Sequence, residues 1–299
     1  MRVLVTGATG FIGRQCIEPL RAKGYEVHAV SSRQHAENRE VNWHRADLLD
    51  VGQCNDLVSR IQPTHLLHFA WYAVPGEYWT SAENLRWVQA SLELMRAFAA
   101  SGGKRLVMAG TCAEYDWGFG HCSEGSTPLV PATLYGTCKH ATQTMLASWS
   151  RQSGVSGAWG RVFSLYGPHE HPARLVASVI AALLRGEEVS CENGSLIRDY
   201  LHVADVASAF VALLDSDLEG PVNIGSGTGV ALKDIVEKIG VKIGRPELIQ
   251  LGARPSPAGA PPLLIADTAR LSRTGWRPSF DLDAGLDDTI AWWQKNRTW

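Results

Sequence analysis

The stretch that most limits what this 299-residue chain can fold into is its beginning. Arg2-Val3-Leu4-Val5-Thr6 is a short apolar, β-branched run that ends in Gly7-Ala8-Thr9-Gly10-Phe11-Ile12-Gly13, and a helical pattern follows through Lys23. A strand, a glycine-rich turn and a helix in that order make a βα unit. The glycines let the backbone approach a pyrophosphate, which then sits on the helix N-terminus. A tight turn with no ligand is the alternative; the strand–helix context favours dinucleotide binding.

The alternation continues. Glu26 to Val30 reads as a second strand, Asn42 to Leu48 as a third, Val51 to Ile61 as an amphipathic helix and Thr64 to Ala70 as a fourth strand. A long helix over 82–101 carries Leu85, Val88, Leu92, Met95 and Phe98 at helical spacing, and Lys104 to Gly110 is a fifth strand. An NAD-preferring site carries an acidic residue at the end of the second strand, to bond the ribose 2′-hydroxyl. Here the chain reads Ser31-Ser32-Arg33, so a 2′-phosphate would find a cation and two hydroxyls, with Arg14 as a further donor. NADP(H) is therefore the expected cofactor, with NAD(H) as the alternative.

Formal net charge is −2, so no global field argues for nucleic acid or an anionic membrane, and any anionic ligand must be met by local arginines. No apolar run has the length of a membrane-spanning helix, and the start lacks signal-peptide architecture. The six cysteines are scattered without a zinc spacing, which fits reduced thiols and a cytoplasmic location.

Tyr135 and Lys139 lie four residues apart at the head of a helical stretch and so share one helix face. A nearby ammonium favours the phenolate and brings a tyrosine closer to acid/base use at neutral pH. Thr111, at the carboxyl end of the fifth strand where ligands bind in open α/β sheets, is the candidate third hydroxyl. His68, at another strand end, reads as a structural histidine beside the cofactor.

Gly7-x-x-Gly10-x-x-Gly13, Asp47, Thr111 four residues before Tyr115, and Tyr135-x-x-x-Lys139 together resemble the extended short-chain dehydrogenase/reductases. The likeness continues through Arg161 to Pro168, Ile197 to Ala207, Val222 to Gly227 and Gly275-Trp276-Arg277-Pro278, nearly the whole chain. It implies an α/β fold: a Rossmann doubly wound parallel sheet over 1–165, and a smaller C-terminal substrate-binding lobe over 166–299 with some segments returning to the first domain. The implied substrate is a nucleotide-diphosphate sugar. By this resemblance Asp47 bonds the adenine, with Leu48, Phe11, Ile12 and Ala70 also at the cofactor. Thr111 holds the substrate oxygen, Tyr135 is the acid/base, and Lys139 binds the nicotinamide ribose while lowering the tyrosine pKa. Arg198 contacts the substrate diphosphate, with Arg254 a second candidate and Cys112, Ala113 and Ser164 further substrate positions. An ion pair of Arg198 with Asp199 or Asp205 is the alternative. The helices at 82–101 and 135–152 are expected to build a homodimer through a four-helix bundle.

Within that family, sugar-nucleotide 4,6-dehydratases place an acidic pair after the active-site threonine, whereas this chain has Cys112 and Ala113. Thr-x-x-Glu-Tyr is more similar to the GDP-4-keto-6-deoxymannose reductases and related 4-ketoreductases. The expectation is NADPH-dependent reduction of a nucleotide-linked 4-keto-6-deoxyhexose. The alternatives are an NAD-retaining 4-epimerase and a non-catalytic, NADP-sensing Rossmann regulator. Ser164 departs from the Asn usual in the Arg-x-Phe-Asn-x-Tyr-Gly-Pro pattern.

His169, Glu170 and His171 read as a loop lining the substrate pocket rather than a metal site. Trp71, Tyr72 and Trp79 either stack on a sugar or base or are buried in a hinge. Ala253 to Pro262 is a Pro-rich loop, a flap or a connector. The terminal Trp292 and Trp293 are expected to pack against the body.

Overall fold

Val3, Leu4, Val5, Leu66, Leu67, Leu106 and Val107 have no exposed surface, which is the condition of strands covered on both faces. The computed structural model describes residues 1–33, 40–255 and 259–296. Ser256, Pro257 and Ala258 of the expected flap lie outside the described residues. The first half runs β1 (Arg2–Thr6), α1 (Gly13–Ala22), β2 (Glu26–Ser31), β3 (Asn42–Arg45), α2 (Val51–Ile61), β4 (His65–His68), α3 (Glu83–Ala100), β5 (Arg105–Thr111), β6 (His121–Cys122), α4 (Leu134–Ser153) and β7 (Ser156–Val162). The second half runs β8 (Ser164–Tyr166), α5 (Leu175–Arg185), β9 (Val189–Ser190), β10 (Ile197–His202), α6 (Val203–Asp215), β11 (Gly220–Ile224), β12 (Gly229–Ala231), α7 (Leu232–Ile243), β13 (Ile249–Gln250), β14 (Leu263–Ala266), α8 (Ala269–Ser272) and α9 (Leu282–Asn296).

Seven strands form one sheet in the order β3-β2-β1-β4-β5-β7-β11, parallel at every pairing. This is the doubly wound Rossmann arrangement. α1 and α6 cover one face, burying Cys16, Leu20, Val206 and Phe210. α2, α3 and α4 cover the other, burying Leu57, Met95, Phe98 and Leu146. The order reverses between β1 and β4, which opens a crevice at the carboxyl ends. Gly13 sits where the loop after β1 meets α1: a methyl group there would lie 2.3 Å from the Gly7 carbonyl oxygen.

A second, smaller sheet has the order β12-β10-β14-β6, with β8 also pairing with β10. α5, α7 and α9 pack together beside it around Ile180, Ile239, Leu286 and Trp293. The two sheets exchange segments: β6 lies between β5 and α4 in sequence, and β11 returns to the large sheet.

Beneath their junction lies a buried polar network. Glu114, with no exposed surface, accepts from Thr111 N–H at 2.9 Å, Trp159 Nε1 at 2.8 Å and Arg161 Nε at 2.8 Å. Arg161 in turn donates to the Tyr115 hydroxyl at 3.1 Å, and that hydroxyl donates to Asn223 Oδ1 at 2.7 Å. Glu114→Gln is expected to lower unfolding free energy by about 3–5 kcal/mol, because it leaves a buried guanidinium without its counter-charge. A urea midpoint unchanged from wild type would contradict this.

Candidate active site

The crevice is a cavity of about 1090 Å³. At one end it is lined by Gly7, Thr9, Gly10, Phe11, Ile12 and Gly13. Ile12, at the N-cap of α1, supplies no side-chain hydrogen bond. Arg14 and Gln15 N–H are taken by Gly10 O and Ile12 O at 3.3 and 3.0 Å, and among the described residues the Phe11, Ile12 and Gly13 N–H groups are left for an anion. His68 holds the opposite wall. Its Nε2 faces Ser91 Oγ at 2.9 Å, and that hydroxyl donates to Trp87 O at 2.7 Å. The Nδ1, 2.6 Å from Thr6 Oγ1, must then accept the threonine hydrogen, leaving Thr6 Oγ1 to accept from Phe69 and Ala70 N–H at 3.2 Å each. Burial, then the Lys139 charge, push His68 down to about 3. A histidine that stays neutral and is bonded through both nitrogens is structural, and it places Ala70 in the cavity wall.

Ser31, Ser32, Asp47 and Leu48 line the adjacent arm. Asp47 is oriented by its own turn: Oδ1 accepts from Leu49 N–H and its backbone N–H donates to Gln53 Oε1, both at 3.0 Å. The arginines expected here are elsewhere. Arg33 is exposed and outside the lining, with its backbone N–H on Ser31 Oγ at 3.1 Å. Arg14 grips Thr9 O through Nη2 at 2.5 Å and meets His169 Nδ1 at 2.6 Å, away from the cavity.

At the centre stand Thr111, Tyr135 and Lys139. Thr133 caps α4, its Oγ1 accepting from Gly136 N–H at 3.1 Å. Gly136 lets α4 approach the turn after β5, since a methyl group there would lie 2.4 Å from Ala113 O. That contact sets Tyr135 beside Thr111. Tyr135 is held edge-on by Tyr78, ring centroids 4.8 Å apart, and by Trp79 at 5.8 Å. Lys139 Nζ donates to Ala109 O at 2.8 Å and lies 3.7 Å from the Trp71 ring centroid, so two of its three N–H groups remain for a ligand.

One expectation is corrected here. Burial pushes the Tyr135 phenol up, with Tyr78 adding to the shift, and the influence that opposes it is a hydrogen bond with Thr111 rather than Lys139. Lys139 lies 6.0 Å from the Tyr135 ring centroid and is itself pushed down to about 7 by burial. Two desolvated groups cannot each count on the other's charge.

Cys112, Ser164 and Arg198 line the far arm with Tyr200, Pro261 and Leu264. Among the described residues Arg198 pairs with no carboxylate; its Nη1 donates to Ile197 O at 2.8 Å. Asp199 is committed to Ser226 and Gly227 N–H at 2.7 and 2.9 Å, and Asp205 to Ser279 and Phe280 N–H at 2.8 and 2.9 Å. Arg254 is exposed and Ala113 is buried, and both lie outside the lining. Trp71 and Trp79 line the cavity, whereas Tyr72 lies in a neighbouring groove. His169, Glu170 and His171 diverge: Glu170 and His171 line the cavity and His169 turns away. Tyr78, Arg174 and Tyr200 also join the wall, and sequence reasoning does not single them out for it. Their signal, an aromatic or basic residue in a loop after a strand or, for Tyr200, within β10, is too common to separate from packing.

A glycine loop at a helix N-terminus and a Thr–Tyr–Lys cluster thus line one cavity. The chain belongs to the NAD dependent epimerase/dehydratase family, whose model matches residues 3–225. A UDP-glucose 4-epimerase of Rhizobium meliloti (strain 1021) is 26% identical over 97% of this chain and 96% of its own length. The structure of a Thermus thermophilus UDP-glucose 4-epimerase in complex with NAD is 27% identical, covers 99% of this chain and 100% of that one, and has a TM-score of 0.84. MoeE5 in complex with UDP-glucuronic acid and NAD is 29% identical, covers 99% of each chain and has a TM-score of 0.85. These relatives are not the 4-ketoreductases whose motif stands nearest in sequence, and the cofactor in these complexes is NAD. Among the described residues no helix is long and apolar enough to cross a membrane.

The lowered Lys139 pKa has a consequence for stability. The unfolded chain keeps that proton up to the ordinary value near 10.5 and the fold only to about 7. Between them the unfolded state binds more protons, so this contribution to stability rises with pH across that window. Lys139→Met is expected to remove that rise, measured by urea unfolding across the same range. An unchanged slope would place the charge elsewhere. Tyr135→Phe is expected to cut turnover by about 10²–10⁴-fold, the usual range for a positioned acid/base, with cofactor affinity retained on fluorescence titration. Retained turnover would remove Tyr135 from the centre.

Proposed function

We propose that the chain is an NAD-dependent 4-epimerase of a nucleotide-diphosphate hexose, working by transient oxidation at C4. The observation that carries this reading is that Thr111, Tyr135 and Lys139 share one cavity with the glycine loop and Arg198, with no acid at either of the two positions after Thr111. Burial pushes the Cys112 thiol up to about 12, Ala113 has no acid, and Glu114 is fully engaged beneath the site. The similarity to UDP-glucose 4-epimerases supports it.

The residues present fit the cofactor. The uncapped start of α1 would receive the pyrophosphate, Asp47 the adenine end, Ser31 or Ser32 the ribose, and the unspent Lys139 N–H groups the second ribose. Bound NAD supplies a hydride acceptor that can return the hydride. Tyr135, as its phenolate, takes the C4 hydroxyl proton, relayed through Thr111, and gives it back when the ketone has turned its other face. Burial alone disfavours that phenolate, and the positive charge of a bound nicotinamide ring would favour it. Arg198 holds the diphosphate, whose oxygens suit its planar fork, so that the sugar can rotate while the nucleotide stays. We also propose a homodimer through α3 and α4, on which Leu85 and Met145 are exposed.

One observation favours a second reading, reduction of a 4-keto sugar by exchangeable NADPH: β2 ends in Ser31-Ser32-Arg33 without a carboxylate. The readings differ in cofactor retention. The epimerase is expected to release close to one NAD per chain on denaturation and to interconvert C4 epimers without added cofactor. A protein that purifies empty and consumes NADPH with 4-keto sugars would support the reductase instead.

A further inference from the structure

Among the polar groups of the cavity wall, one carboxyl is left unspent. Glu170 lines the cavity, is 5% exposed, and its Oε2 has no hydrogen-bond partner among the described residues. The carboxyl accepts the Ala177 backbone N–H in the first turn of α5, so helix capping accounts for one oxygen only. A buried polar atom without a partner is costly, and in native folds such atoms are few.

The backbone is bent to put it there. His169 has φ +71°, a left-handed conformation uncommon outside glycine. The turn sends His169 outward, onto Arg14 and against Trp292 at a centroid distance of 4.5 Å, and sends Glu170 into the wall. Arg174 from its own segment and Tyr200 from β10 are close enough to act on Glu170 electrostatically, and Tyr78, from the loop after β4, and His171 line the same cavity. The Arg174 guanidinium lies 5.6 Å from the Tyr78 ring centroid and hydrogen-bonds the Tyr78 hydroxyl. Tyr78 in turn touches Tyr135, so this cluster is one ring away from the reacting centre.

Burial pushes Glu170 up to about 8 against the opposing pull of Arg174 and the Ala177 N–H, so near neutral pH its carboxyl offers an O–H. The Tyr78 hydroxyl, already accepting from Arg174, has its own hydrogen to give. Guanidinium, carboxyl and the Tyr78 and Tyr200 phenols are then all donors. A neutral sugar hydroxyl uses at most two acceptor positions, whereas a carboxylate offers about four and also balances the Arg174 charge.

We propose that Glu170 and Arg174 form a subsite for a carboxylate on the hexose, beside the reacting carbon, so that a hexuronic acid is taken in preference to a neutral hexose. This rests on the nucleotide-sugar reading above. The ligand carboxylate accepts the Glu170 hydrogen and the Arg174 N–H groups, and Glu170 ionisation places two negative charges together.

The test is calorimetric titration of the purified protein, with its cofactor, using UDP, UDP-glucose and UDP-glucuronic acid from slightly acid to alkaline pH. UDP-glucuronic acid is expected to bind about tenfold or more tighter than UDP-glucose near neutral pH, with the advantage shrinking above about 8, where Glu170 ionises. Glu170→Gln keeps a donor, so it should keep the preference and flatten the alkaline decline, which loss of a mere helix cap would not do. Arg174 is exposed, and Arg174→Met should abolish the preference while leaving UDP affinity unchanged. Equal or tighter binding of UDP-glucose, or an alkaline decline that persists in Glu170→Gln, overturns the subsite while UDP binding still stands. Failure of all three ligands, UDP included, overturns the nucleotide-sugar reading and this subsite with it.

Discussion

Everything at the reacting centre rests on a carboxylate that never meets solvent. Glu114 takes the Thr111 N–H, the Trp159 indole and the Arg161 guanidinium, and so fixes the turn after β5 to the β7 strand beside it. Through Tyr115 and Asn223 the same network reaches β11, and Asn223 Nδ2 donates to Cys122 O in β6 at 2.9 Å. The threonine of the site, the large sheet and the small sheet are tied by one set of hydrogen bonds. A buried ion pair of this kind is a poor source of net stability but a good way to exclude other arrangements. Here the excluded arrangements are those in which Thr111 drifts from Tyr135.

Much of this is legible in the sequence, for physical reasons. Strands buried on both faces must be apolar throughout, and Val3 to Val5 and Leu106 to Met108 are. The glycine turn has one role in that context, and Gly13 is forced by a neighbouring carbonyl. Two strands are shorter than their sequence patterns: β3 stops at Arg45 and β4 at His68, because Ala46-Asp47-Leu48 and Phe69-Ala70 leave the ladder to line the crevice. Composition cannot mark that point, since the same residues suit a strand end and a ligand wall.

Side-chain direction is less legible. Arg33 and Arg14 stand at the right sequence distance for a 2′-phosphate, yet one is exposed and the other is held by Thr9 and His169. Arg198 has an acidic neighbour in sequence, and alternation along β10 puts the two on opposite faces, leaving Asp199 buried and Arg198 in the cavity. In sequence the Tyr–Lys pair reads as one charge helping another, whereas in the fold burial dominates both. Glu170 is visible only as part of a decoy cluster, because the left-handed turn at His169 that separates it from its neighbours leaves no mark in a sequence without glycine at that position.

In the proposed function one cavity serves three tasks: a glycine-rich end for a dinucleotide, a Thr–Tyr–Lys centre for proton movement, and an arm with Arg198 for a charged substrate. The central claim is that hydride leaves C4 and comes back to the same carbon. The most direct measurement is proton NMR of UDP-glucose and UDP-glucuronic acid incubated with the protein in deuterated water. The expected result is both C4 epimers of the accepted sugar, with hydrogen rather than deuterium at C4. No C4 inversion, or a product that has lost its C6 hydroxyl and taken up solvent deuterium, would contradict it.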